Sequence, residues 1–134
     1  MDIPETLQQD FSGAPLRRDL LDPDPLKQFE SWFKQALESD YSAPNAVSLA
    51  TSSSNGEPSV RTVLVKQFDT EGFVFYTNYN STKATQIEQT ASVSLLFPWV
   101  ELGRQVIISG PANKISREAS ARYFDSRSRG SQLS

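Results

Sequence analysis

AVSLATSSSNGEPSVRTVLVKQFDTEGFVFYT, residues 46–77, decides the fold. Its short β-branched and aromatic runs are broken by turn residues, which is the pattern of an antiparallel sheet rather than of helices. Ala46–Ser52 reads as a first strand. Ser54-Asn55-Gly56-Glu57 carries the Asn-Gly pair favoured in hairpin turns and leads into a second strand over 59–68. Asp69-Thr70-Glu71-Gly72 is the next turn, and 73–77 the third strand.

Upstream of this stretch, Asp24 is placed to cap a helix whose first residue is Pro25. Leu26, Phe29, Trp32, Phe33, Ala36 and Leu37 then fall on one stripe at helical spacing, so a helix is expected over 25–39, with that stripe packing against the sheet. Residues 1–21 are polar, with Gly13, Pro15 and the pair Arg17-Arg18. They read as a flexible arm that orders on a partner, leaving 22–134 as the domain. Downstream, Ser81 can cap a short helix to Gln89, with Ala84 and Ile87 as its apolar stripe. Residues 93–97 form a fourth strand, nearly continuous in apolar residues and expected to be buried on both faces. Residues 104–115 form a long fifth strand with Gly110-Pro111 in its middle, where a bend or bulge is expected because proline cannot donate to the ladder. Ser116 can cap a last helix to Ser126. Consecutive short strands, with helices only as connections, favour a mainly β fold with flanking α: a small closed or half-open antiparallel barrel.

Composition removes many kinds of chemistry. The 134 residues fit one domain, and a chain of that size buries roughly two-thirds of its unfolded surface. With no Cys there is neither a disulfide nor a thiolate nucleophile, and with no His the commonest general base and metal ligand is missing. Zinc hydrolysis and a Ser-His-Asp triad are therefore not expected, and no metal site is assigned; a bound cofactor is the natural source of chemistry. A net charge of −3 argues against a nucleic-acid binder that neutralises many phosphates. No apolar run approaches the roughly 20 residues of a membrane helix. Residues 1–10 are polar and acidic, unlike a secretory signal or a transit peptide, so the expected location is the cytoplasm.

What remains is a set of cations and hydroxyls around apolar strands: Arg61 and Lys66 at the two ends of one run, then Tyr76-Thr77-Asn78 and Ser81-Thr82-Lys83. Such a set suits a phosphorylated aromatic ligand, because Arg offers a planar fork to phosphate oxygens and Lys a compact point charge. The bland alternative is that these are solvated or edge-protecting charges. No Gly-rich turn joins a strand to a helix, so side chains have to hold any phosphate. Strict alternation puts Arg61 and Lys66 on opposite faces, and both reach one ligand only if a bulge, a strand end or the barrel rim intervenes.

Five motifs in order carry a family resemblance: RTVLVK at 61–66, FVFYTNYNSTK at 73–83, SLLFPW at 94–99, RQVIISG at 104–110 and YFDSRSRGSQ at 123–132. Together they resemble the pyridoxine (pyridoxamine) 5'-phosphate oxidases. The resemblance implies an FMN-binding split β-barrel of Greek-key type, working as a homodimer with FMN at the interface. It implies oxidation of pyridoxamine 5'-phosphate or pyridoxine 5'-phosphate to pyridoxal 5'-phosphate, with O2 as acceptor and H2O2 released. Carried over residue by residue, it places FMN on Arg61, Thr62, Val63, Leu64, Val65 and Lys66, on Tyr76 and Thr77, on Thr82 and Lys83, and on Gln105. Lys66 would also touch substrate, and no residue is assigned as an acid or base. Substrate phosphate falls to Tyr123, Arg127 and Ser131, which recur every fourth residue and share one face if the last helix continues that far. Without the resemblance, a basic helix end complementing its dipole explains the same spacing.

Three departures accompany the resemblance. The family usually has Arg where Thr82 stands, so one phosphate-directed cation is missing. The arm reads Leu7-Gln8-Gln9-Asp10-Phe11 where the family carries an Arg and a Tyr over the substrate. The sequence stops at Ser134, inside what is normally a continuing S-Q-[IL]-G motif. A piece of a longer oxidase is the expectation. The alternatives are a shortened relative that binds flavin or a B6 phosphate without turnover, or a flavin reductase sharing the FMN elements but not the set Tyr123, Arg127 and Ser131.

Overall fold

A computed structural model of the chain describes residues 1–7, 16–76, 92–113 and 115. One helix, α1 (Pro25–Glu38), precedes five strands: β1 (Ala46–Ser52), β2 (Pro58–Asp69), β3 (Gly72–Phe75), β4 (Ser92–Phe97) and β5 (Val106–Pro111). The Asp24 carboxylate accepts from the Leu26 N–H at 2.9 Å, so α1 starts at the cap read from sequence. Glu5–Leu7 and Arg18–Leu20 form single 3₁₀ turns within the N-terminal arm.

All four strand pairings are antiparallel, and the order across the sheet is β3-β2-β1-β4-β5. Three hairpin-linked strands followed by a fourth that returns beside the first is a Greek key. The sheet curls into a half-barrel, in agreement with the expected architecture. The β1–β2 hairpin closes through Ser53 and Glu57, whose main chains bond at 2.8 Å, with the Gly56 N–H returning to the Ser53 carbonyl at 3.0 Å. Gly56 sits at φ 87°, so the Asn-Gly pair serves a three-residue connection, with glycine at its left-handed position.

Period-2 alternation separates two faces. Val47 and Leu49 of β1, Val63 and Val65 of β2, and Leu95 and Phe97 of β4 are buried on the inner face. Helix α1 lies over them through Phe29, whose ring is 4.9 Å from those of Phe68 and Phe97 and 5.0 Å from that of Phe73, all edge-on. Trp99 completes the core, and its Nε1–H donates to the Pro44 carbonyl at 3.0 Å.

Three expectations are corrected. Strand β5 covers Val106–Pro111 rather than 104–115, and Gly110-Pro111 ends it instead of bending its middle. Proline offers no N–H with which to extend the ladder past that point. Strand β4 is buried on one face, with Leu95 and Phe97 inside and Leu96 half-exposed, because no second layer covers its outer side among the described residues. Leu37 is 58% exposed and stands off the packing stripe of α1. The short helix from Ser81 and the last helix from Ser116 lie outside the described residues.

Candidate functional site

The RTVLVK run divides between the two faces of β2. Arg61, Val63 and Val65 point inward, while Thr62, Leu64 and Lys66 are exposed on the outer face. Val63 and Val65 are each only 6% exposed. A ligand on the outer face therefore meets these two residues through main-chain atoms.

Those main-chain atoms are accessible in a specific way. Strand β3 pairs with β2 only from Val65 onward, and β1 pairs along the other edge from Pro58 to Leu64. Along 58–64 the second edge of β2 thus has no strand partner among the described residues. Its outward N–H and C=O groups are a ready hydrogen-bonding row.

Lys66 stands where the β2–β3 register shifts, between the pairs Val65↔Phe75 and Gln67↔Val74. The bulge leaves alternation unbroken from Arg61 to Lys66, so it does not bring the two cations to one face. Both Lys66 and Gln67 are exposed, and Phe68 returns to the core. Lys66 is five residue steps from Arg61, roughly 17 Å at ~3.4 Å per step. The Arg61 guanidinium donates through Nη1 to the Leu49 carbonyl at 3.1 Å, and burial lowers its pKa from the ordinary value. The structure therefore gives Arg61 an inner-face partner and Lys66 an outer-face position.

Gln105 is exposed just ahead of β5, and Tyr76 is half-buried just past β3. The register aligns Thr62, Ser48, Leu96 and Ile107 in one row across β2, β1, β4 and β5. Val60, Leu64 and Ile107 are exposed on this outer face at 67, 41 and 62%, giving an apolar surface bordered by Lys66. Thr77, Thr82, Lys83, Tyr123, Arg127 and Ser131 lie outside the described residues.

A cavity of about 250 Å³ opens beside the bulge, lined by Phe33, Asn45, Val65, Lys66, Gln67, Phe68 and Phe97. Asn45 is the residue here that sequence reasoning missed. Its only local signal is the Pro44-Asn45 pair ahead of β1, a combination common in turns. A wider groove of about 490 Å³ lies at the far end of β1, β4 and β5, and is lined partly by the hydroxyls of Thr51, Ser52, Ser92, Ser94 and Ser109. No cluster of carboxylates able to hold a metal ion occurs among the described residues, and no helix there is long and apolar enough to cross a membrane.

Comparison with known proteins bears directly on this arrangement. A family model described as pyridoxamine 5'-phosphate oxidase matches residues 33–134. The pyridoxine/pyridoxamine 5'-phosphate oxidase of Rippkaea orientalis is 59% identical over 133 residues, 99% of this chain and 62% of its own length. That of Crocosphaera subtropica is 57% identical over 127 residues, 95% of this chain and 59% of its own length. The chain thus spans about 60% of the length of these curated relatives. Among solved structures, PhzG from Burkholderia lata, in complex with tetrahydrophenazine-1-carboxylic acid, superposes with a TM-score of 0.80 at 28% identity, over 87% of this chain and 59% of that one. A pyridoxamine 5'-phosphate oxidase-related, FMN binding protein from Nostoc punctiforme shares the fold, with a TM-score of 0.65 at 23% identity, over 82% of this chain and 62% of that one.

Proposed function

The chain belongs to the pyridoxamine 5'-phosphate oxidase family, and on that premise we propose that it forms the flavin-holding half of an oxidase acting on pyridoxamine or pyridoxine 5'-phosphate. The product is pyridoxal 5'-phosphate. Two electrons and two protons leave the substrate carbon and its heteroatom and end on dioxygen as hydrogen peroxide; from pyridoxine 5'-phosphate this gives the aldehyde directly, and from pyridoxamine 5'-phosphate it gives an imine that takes up water and releases ammonia. FMN, when bound, supplies the acceptor that carries the electrons between them. A homodimer with FMN at the interface, working in the cytoplasm, completes the reading.

The observation that carries this proposal is the exposed Lys66 on a bulge at the end of a strand whose neighbouring edge has no strand partner among the described residues. The residues present fit an FMN-like ligand. Among the described residues the open edge of β2 offers N–H and C=O groups to the polar rim of a flat ring, and the exposed apolar side chains of Val60 and Leu64 on the same strand suit its face. The Lys66 ammonium beside such a ring stabilises the negative charge that reduction deposits there. The Thr62 hydroxyl and the Gln105 amide add neutral donors on the same side. Lys83 and Thr82 are the proposed phosphate contacts of FMN, with Tyr76 and Thr77 beside them, and Tyr123, Arg127 and Ser131 are those of the substrate. The lack of histidine is compatible with this chemistry, since FMN, when bound, would supply the hydrogen acceptor and no side-chain base is assigned.

The test is a visible absorption spectrum of the purified protein after incubation with FMN and desalting, followed by anaerobic addition of pyridoxine 5'-phosphate. A retained flavin band that bleaches is the expected result. A retained band that stays coloured with either B6 phosphate rejects the oxidase reading in favour of a flavin-binding relative without turnover. Loss of all flavin from the whole encoded protein rejects both.

A further inference from the structure

Two hydrogen bonds tie Asn45 to Val65. The Val65 N–H donates to the Asn45 carbonyl at 3.0 Å, and the Asn45 side-chain Nδ2 donates to the Val65 carbonyl at 2.9 Å. The first lies one pair beyond the Ala46↔Leu64 end of the β1–β2 register. The second does something a ladder bond does not, because the Val65 carbonyl belongs to the peptide unit that leads into Lys66.

A peptide unit is planar, so holding its oxygen fixes the rotation of the whole plane. That rotation is ψ of Val65 and φ of Lys66 together, and it decides where the Cα–Cβ bond of Lys66 points. Elsewhere in a strand the two neighbouring ladders set this angle. At the bulge one of the two slips, because the β2–β3 register jumps from Val65↔Phe75 to Gln67↔Val74 across Lys66. On the opposite edge of β2 the Asn45 amide holds the Val65 carbonyl, one pair beyond the Ala46↔Leu64 end of the β1–β2 register.

We infer that Asn45 is a positioning residue for Lys66: its side-chain amide locks the bulge peptide and so aims the Lys66 ammonium at the ligand. This rests on the proposed role of Lys66 toward flavin and substrate. The competing explanation is that Asn45 merely anchors the start of β1, in which case its removal loosens the sheet without regard to Lys66.

A double-mutant cycle on the whole encoded protein separates the two, using wild type, Asn45→Ala, Lys66→Ala and the double variant. FMN affinity is followed by flavin fluorescence, kcat/KM with pyridoxine 5'-phosphate by steady-state kinetics, and Tm in parallel. Acting through Lys66, Asn45→Ala weakens FMN binding or kcat/KM by about 5- to 10-fold, the scale of one lost hydrogen bond, and costs nothing further once Lys66 is alanine. Additive losses, or an Asn45→Ala protein that lowers Tm but leaves both constants unchanged, overturn the inference. Should Asn45→Ala not fold, the same cycle with Asn45→Ser, which keeps a donor on a shorter arm, gives the same reading. A wild type that binds no FMN sinks the flavin proposal itself; additive losses on a flavin-binding wild type sink only the inference about Asn45.

Discussion

The Arg61 guanidinium reaches the carbonyl of Leu49, its partner across the β1–β2 register, at 3.1 Å. One of its donors is thereby committed to the sheet, on the face away from Lys66. Replacing Arg61 with Ala removes a charge-assisted hydrogen bond from a half-buried carbonyl. A loss of about 1–2 kcal/mol is expected, the range for such bonds discounted for partial exposure. Urea denaturation monitored by tryptophan fluorescence measures it. If stability is unchanged while FMN affinity falls, Arg61 serves the ligand and not the strand pair.

Phe29 is the side chain through which α1 holds the half-barrel, touching the rings of Phe33, Phe68, Phe73, Phe97 and Trp99. Phe29→Ala should cost about 3–5 kcal/mol, as expected for an aromatic removed from a packed core. Leu37→Ala, on the exposed side of the same helix, should stay within about 0.5 kcal/mol. Equal denaturation midpoints for the two variants contradict the docking of α1 described here.

Tyr41 and Glu101 form a pH-sensitive contact at the edge of the core. The Tyr41 hydroxyl oxygen accepts from the Glu101 N–H at 2.8 Å. Burial, followed by the hydrogen bond to the Glu101 side chain, raises the pKa of Tyr41 above its ordinary value of 10.0. The same side-chain bond holds Glu101 below its ordinary value of 4.5. A raised phenol favours folding while it is protonated, so its contribution is complete below pH 10.0 and disappears as pH rises through the folded value. The depressed carboxylate works the other way, contributing above pH 4.5 and losing its part as pH falls through the folded value. Denaturation midpoints from pH 8 to 12 should therefore fall more steeply for wild type than for Tyr41→Phe. Parallel curves rule the contact out as a source of pH dependence.

Much of this architecture is legible in the chain because it is written in local chemistry. Asp24-Pro25 announces the start of α1, Gly56 and Gly72 the two hairpins, and the two-residue period of β2 the division of its side chains between faces. Gly110-Pro111 is compatible by sequence with either a bend within β5 or its end, and the missing proline donor makes it the end. Leu37 satisfied the helical stripe by spacing alone, and spacing does not report how far the covering sheet extends. The bulge at Lys66 has no local signal, since its position depends on where β3 takes up its pairing, and it leaves Arg61 and Lys66 on opposite faces. Asn45 was invisible for a similar reason, since its partner lies 20 residues away and the contact exists only once β1 and β2 have joined.

The substrate end of the site is tested at Arg127, which the proposed function assigns to the phosphate of the B6 substrate. In the whole encoded protein, Arg127→Ala should raise KM for pyridoxine 5'-phosphate by about 10- to 150-fold, the equivalent of ~1.5–3 kcal/mol for one charge-assisted contact, with flavin retained. Unchanged substrate kinetics remove Arg127 from the phosphate site and favour a flavin enzyme with another substrate.

Lys66 gives the sharpest separation between a structural and a functional cation. Its side chain is exposed, and the bulge is braced through main-chain groups that a substitution at position 66 leaves in place. Lys66→Met, which keeps most of the aliphatic stem, should thus move the denaturation midpoint by no more than about 0.5 kcal/mol. A cation that merely decorates a strand end does nothing beyond that. A cation beside a flavin ring does more: its removal disfavours the reduced, negatively charged ring relative to the oxidised one, lowering the reduction potential of bound FMN. Potentiometric titration of wild type and Lys66→Met is therefore the decisive comparison, with the rate of anaerobic bleaching as its kinetic counterpart. A lowered potential with slower bleaching places the ammonium at the ring. Identical potentials with weaker FMN retention place it at the phosphate, and no change in either returns Lys66 to the solvated surface.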